Sequence, residues 1–142
     1  MSDLDSEFQR GLELRAGGRL EEALQVFDAL ARKSPGVARV IALRGLTLCH
    51  LERFEPGIAD LGRAAALAPG DPAIHCDLGM VLFALDRLDE AQAALRHALR
   101  LAPAYAEALN NLGLVLRARG DFAGAEDAAR RAIAAAPHLD AA

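Results

Sequence analysis

The 142-residue sequence predicts an all-α fold, a right-handed α-α superhelical solenoid of helix-turn-helix repeats, and three observations carry that prediction. Pro35, Pro69, Pro103 and Pro137 recur every 34 residues (69−35, 103−69, 137−103). Aligned on these prolines, Gly11, Gly45, Gly79 and Gly113 share one column, and Leu14, Leu48, Leu82 and Leu116 another. Small residues form a third column, Ala23, Gly57, Ala91 and Ala125, and a fourth holds Leu30, Ala64, Ala98 and Ala132, with Phe27, Leu61, Leu95 and Ala129 between them. A fixed period of this size marks one supersecondary element pair repeated, and it outweighs local propensity.

The chain therefore reads as one domain over residues 1–142, with repeats at about 4–37, 38–71, 72–105 and 106–139, and 140–142 opening a fifth repeat or a cap. In the first repeat, Ser6, Glu7, Arg10 and Glu13 stand where later repeats are apolar, which marks residues 4–17 as the water-facing N-terminal end of the array. Gly17-Gly18-Arg19 turns the chain into the second helix, as Glu52-Arg53, Asp86-Arg87 and Gly120-Asp121 do later. Pro56 and Pro72 suit the first turns of helices, where a missing N–H costs nothing. The third repeat shows the period best. Ile74, Leu78, Val81, Leu82 and Leu85 recur at three and four residues, and Leu88, Ala91, Leu95, Ala98, Leu99 and Leu101 do so over 88–101. Glu21-Glu22, Asp89-Glu90 and Glu126-Asp127 are expected in the first turns of second helices, favourably placed against the helix dipole. The recurrent Gly and Ala mark close helix approach, and each closing proline ends a second helix. Leu82 and Leu116 are predicted core. After Pro137, His138-Leu139-Asp140-Ala141-Ala142 matches the opening of a fifth repeat and leaves Ala129, Ala132 and Ile133 expected on an open face.

Composition narrows the function classes. With 53% apolar and 4% aromatic residues and no Trp, the core is expected to be Leu and Ala. A net charge of −4 without a basic run argues against nucleic acid, and no apolar stretch approaches a membrane span, so the reading is a cytoplasmic protein. Two cysteines give no disulfide framework. Cys49-His50 and His75-Cys76 look like metal ligands, but one pair falls late in a first helix and the other early in the next, too far apart along the axis for one tetrahedral ion. Ser2, Ser6, Ser34, Thr47 and Tyr105 sit in no nucleophile motif, so no catalytic residue, metal or cofactor is assigned.

The Leu112-Gly113, Leu116, Ala125, Ala132 and Pro137 pattern, matched by Leu78-Gly79, Leu82, Ala91, Leu95, Ala98 and Pro103, resembles the tetratricopeptide repeat. Arg10 and Arg44 depart from it where leucine precedes the glycine, as do Leu30, Gly57 and Ala129 at their own columns. The resemblance implies that first helices line a concave surface where protein ligands bind. It places Phe8, Leu12, Leu43, Leu46, Cys49, Asp77, Met80, Phe83, Asn110, Asn111, Leu114 and Arg117 in that groove. Ala42 and Cys76 fall on the same inner positions. The clamp by which one subclass holds a chaperone's C-terminal carboxylate is absent, because its positions hold Phe8, Leu12, Leu43, Ala73 and Asp77. The stretch Ala108 to Gly113 is similar to repeats of the kind attached to O-linked glycosyltransferases, but only this repeat carries the asparagine. The resemblance thus implies a non-enzymatic module binding a peptide or helix of another protein, with Asp77, Asn111 and Arg117 orienting it. Two alternatives stand beside it: a homodimer or larger assembly through Ala129, Ala132 and Ile133, or the N-terminal targeting domain of a glycosyl- or sulfotransferase.

Overall fold

The computed structural model describes residues 3–136, which form eight α-helices. They are α1 (Asp3–Ala16), α2 (Leu20–Lys33), α3 (Ala38–His50), α4 (Phe54–Leu67), α5 (Pro72–Ala84), α6 (Leu88–Leu101), α7 (Ala106–Ala118) and α8 (Phe122–Ala135). Consecutive helices pair as α1/α2, α3/α4, α5/α6 and α7/α8, one pair per repeat. The chain divides into two compact halves, α1–α4 and α5–α8. In the first, α3 also packs on α2; in the second, α7 packs on both α5 and α6. Pro137 and the five residues after it, expected to close the fourth repeat and open a fifth, lie outside the described residues.

The turn inside each pair is the same. The residue at 18, 52, 86 and 120 takes a positive φ, 79° at Gly18, 63° at Glu52, 60° at Asp86 and 85° at Gly120. This lets the next N–H reach back to the leucine column: Arg19, Arg53, Arg87 and Asp121 donate to the carbonyls of Leu14, Leu48, Leu82 and Leu116 at 2.8–2.9 Å. The paired bonds, Gly18 to Arg15, Glu52 to Cys49, Asp86 to Phe83 and Gly120 to Arg117, complete a Schellman closure that satisfies the last carbonyls of each first helix. The following helix starts at once. Asp121 accepts from the Gly124 N–H at 2.9 Å, and Asp71 accepts from Ala73 N–H at 3.0 Å ahead of Pro72.

The first-turn carboxylates of the second helices are Glu21 and Glu22 in α2, Glu55 in α4, and Asp89 and Glu90 in α6. Glu126 and Asp127 do not join them, because α8 begins at Phe122 and places both in its second turn. There Glu126 pairs with Arg130, one turn on.

The glycine column works by close approach. A Cβ on Gly11 would lie 2.8 Å from Phe27 Cε1, on Gly45 2.8 Å from the Gly57 carbonyl oxygen, and on Gly79 2.6 Å from Leu95 Cγ. Phe27, Leu61 and Leu95, the large residues pressed onto that column, are wholly buried, and Leu82 and Leu116 are buried as expected. Gly113 is different. The nearest atom to a Cβ there is the Ala125 carbonyl at 3.5 Å, since Ala129 supplies no large side chain to fill the space.

Arg44, in the column where leucine is usual, is held by a buried carboxylate. Its Nε and Nη2 donate to the two oxygens of Asp60 at 2.8 and 2.9 Å, and its Nη1 lies 3.5 Å from Asp28. The hydrogen bonds to Asp60 hold the Arg44 guanidinium above its ordinary pKa in spite of the burial that opposes them. Arg10, in the same column of the first repeat, is exposed.

Candidate functional site

In the first half, Phe8 and Leu12 on α1 and Leu43 on α3 are half-buried. The Phe8 ring meets Phe27 edge-on at 6.3 Å, and the Arg39 guanidinium lies 5.2 Å over its centroid. Phe8 and Arg39 border a 310 Å³ hollow whose other walls are Leu4, Asp5, Leu30, Ser34, Val37 and Val40. Lower on the same helices, Arg15 Nη2 lies 3.2 Å from His50 Nδ1, and burial followed by that guanidinium lowers the His50 pKa from its ordinary value.

Two residues expected in the groove belong to the core. Leu46 and Cys49 are each 7% exposed, and Ala42 is buried with them. The reason is that α3 packs against both α2 and α4. Its apolar arc must therefore be wider than a single face. Cys49 Sγ presses on Gly57, where a Cβ would collide with it.

In the second half, Asp77 and Phe83 on α5 are half-buried and Met80 is exposed. Cys76, expected on the same inner surface, is 1% exposed beneath Asn111, whose Nδ2 lies 3.5 Å from its Sγ. Asn111 therefore ties α7 to α5, while Asn110 stands exposed. Burial, then the Glu107 carboxylate, pushes the Cys76 thiol up to about 12, and Tyr105 is raised to about 12, chiefly by burial. Both groups thus hold their protons in the folded state at a pH where the unfolded chain has released them, so stability is retained below about pH 9 and lost as pH rises from there toward 12. We expect urea midpoints that fall above pH 9, with the fall reduced in Cys76→Ala. A midpoint that holds constant to pH 11 contradicts this.

A further concavity lies between α7 and α8. It is a cleft of 580 Å³ lined by Asn110, Gly113, Leu114, Arg117, Phe122, Ala125, Glu126 and Ala129. Three residues expected from the sequence, Asn110, Leu114 and Arg117, meet there. Phe122, Ala125 and Glu126 were not expected. Their signal was Ala129, which stands where Phe27, Leu61 and Leu95 fill the equivalent space. Leu114 is 49% exposed and Phe122 66%. Of the residues expected on an open assembly face, Ala129 and Ile133 are exposed, but Ala132 is buried, because its column faces the partner helix in every repeat, as Leu30, Ala64 and Ala98 show.

Eight helices in four equivalent hairpins define an all-α helical-repeat protein of the solenoid class. Residues 8–72 and 76–140 match the tetratricopeptide repeat profile, and the chain belongs to that family of protein-interaction modules. Among solved structures it is similar to PilF of Pseudomonas aeruginosa, with a TM-score of 0.88 and 20% identity over 94% of this chain and 61% of that one. A MamA fragment from Desulfovibrio magneticus RS-1 gives a TM-score of 0.83 and 21% identity over 98% of this chain and 78% of that one. YrrB, described as a tetratricopeptide repeat protein with an unusual peptide-binding site, gives 0.78 and 22% over 95% and 70%. At these identities the likeness is one of fold. Comparison with curated proteins finds no match. No helix among the described residues is long and apolar enough to cross a membrane.

Proposed function

We propose that the chain is a non-catalytic, cytoplasmic module that binds an apolar peptide or helix of another protein, and that the cleft between α7 and α8 is its main anchor point. The observation that carries this is the joining of Leu114, Phe122 and Ala129 as apolar walls with Asn110, Arg117 and Glu126 as polar groups in one 580 Å³ cleft. Concave, mostly apolar sites with a few convergent polar groups are where peptide anchors seat, the walls supplying affinity and the polar groups orientation. Met80 and Phe83 on α5, in the same half, offer further apolar contacts of the same kind.

Ala129→Leu should reproduce the Leu95–Gly79 contact and close the cleft without unfolding the chain. Peptides selected from a random display library on the parent should lose at least about tenfold in affinity for Ala129→Leu and for Leu114→Glu, the equivalent of roughly 1.4 kcal/mol. Selected peptides that bind parent and variants alike would rule the cleft out. A second copy of the chain is the rival occupant, favoured by the exposure of Ile133 at 49% and Phe122 at 66% at opposite ends of α8. Light scattering separates the two: a dimer that Ile133→Glu dissociates supports self-association, and a monomeric parent dismisses it.

A further inference from the structure

A second concavity in the same half lies away from that cleft and has opposite chemistry. It is a 230 Å³ depression whose lining is Arg96, Leu99 and Arg100 from α6, Leu112 from α7 and Arg131 from α8. Three arginines and two leucines line it, with no carboxylate in the lining, on a chain whose net charge is −4. Arg96 and Arg100 are one helical turn apart and so project from the same side of α6, while Arg131 reaches in from α8.

Three other arginines of this half have a carboxylate partner: Arg119 pairs with Asp89, Arg87 with Glu90 and Arg130 with Glu126. Arg131 forms a longer pair, its Nη1 4.0 Å from Asp127 one turn back on its own helix. Arg100 Nη2 lies 3.1 Å from His97 Nδ1, and the His97 ring lies tilted by 40° against that of His75 with centroids 4.1 Å apart. This places Arg100 against a ring nitrogen of His97, where Arg119, Arg87 and Arg130 each meet a carboxylate.

From this geometry we infer that the Arg96–Arg100–Arg131 depression is a binding site for a single doubly charged tetrahedral oxyanion, a phosphate monoester in class. At 230 Å³ it is smaller than the about 300–1,000 Å³ of ordinary small-molecule pockets, so it takes one compact group. A guanidinium presents its donors as a planar fork that matches pairs of phosphate oxygens, and forks converging from two helices suit a tetrahedral ligand better than a carboxylate with two oxygens. The site is independent of the peptide reading, since it shares no lining residue with the α7/α8 cleft.

The test is an NMR titration of the whole chain at constant ionic strength with inorganic phosphate, a phosphoserine-containing tetrapeptide and acetate, following the arginine Nε–Hε resonances. We expect saturable shifts at Arg96, Arg100 and Arg131, little response at Arg32, and at least about a tenfold loss of phosphate affinity in Arg100→Gln and Arg131→Gln, because each removes charge-assisted hydrogen bonds. Tighter binding of the tetrapeptide assigns the phosphate to a partner's modified side chain, and tighter binding of inorganic phosphate assigns it to a free ligand. Shifts that never saturate, that acetate reproduces at equal concentration, or that persist in both variants overturn the site. Should either glutamine variant lose helicity, Arg100→Lys serves in its place; it keeps the charge without the fork and is expected to weaken phosphate binding, and full retention of affinity there also overturns the assignment.

Discussion

Arg44→Leu alone should destabilise the first half by about 3–5 kcal/mol, whereas Arg44→Leu combined with Asp60→Ala should recover most of that loss. Asp60 is 9% exposed, and both of its oxygens accept from Arg44. Removing the arginine leaves a carboxylate out of water with no cation to repay its desolvation, which is the costly way to break a buried pair. The chain itself supplies the apolar alternative. In the same two columns the third repeat has Leu78 and Ala94, and the fourth has Leu112 and Ala128. Asp28, the third member, has a side chain 43% exposed and tolerates losing its partner. Urea denaturation followed by circular dichroism, with amide exchange of α3 and α4 as a local readout, measures both variants. A single variant within about 1 kcal/mol of the parent would show that water relieves Asp60. A double variant no more stable than the single one would show that the ion pair also sets the packing of α3 on α4.

Phe27→Ala should cost about 3–5 kcal/mol, the usual range for removing a buried phenylalanine. Phe27 is wholly buried, its ring edge lies against Gly11, and it makes an edge-type contact with Phe8. The void cannot collapse easily, because α1 is already as close to α2 as the glycine allows. The loss should also reach the candidate binding surface, since Phe8 carries the Arg39 contact and lines the 310 Å³ hollow. Amide exchange in α1 and α2 should accelerate with the fall in the urea midpoint. A cost below about 1 kcal/mol would mean that the helices close over the gap. The natural counterpart is the fourth repeat, where Ala129 occupies this column and the unfilled space opens to solvent as a cleft.

The fold was legible because its period was. A proline, a glycine and a leucine returning every 34 residues locate eight helices, and the four turn positions come from the same register. Glu52 and Asp86 take a positive φ although neither is glycine, because the closure they complete is imposed by the helices on either side. The candidate site was legible only in part. Asn110, Leu114 and Arg117 come together in one cleft, since they lie on a helix face that no described helix covers in full. Leu46, Cys49 and Ala132 are buried instead, since the register gives the direction in which a side chain points and says nothing of how many neighbours pack against it.

What the sequence by itself determined is the periodic part of this protein: the all-α class, the repeat register, and the columns where glycine meets a large apolar residue. These depend on local backbone geometry and on hydrophobic spacing, which a linear pattern records. Only the tertiary structure decided where the surface becomes concave and where charges meet. The cleft beside Ala129 is a volume that a missing side chain leaves between two helices. The Arg44–Asp60 pair and the Arg96–Arg100–Arg131 depression are meetings of charges from different helices. Volume and charge convergence are properties of atoms close in space but distant along the chain, and the order of residues does not contain them until the helices pack.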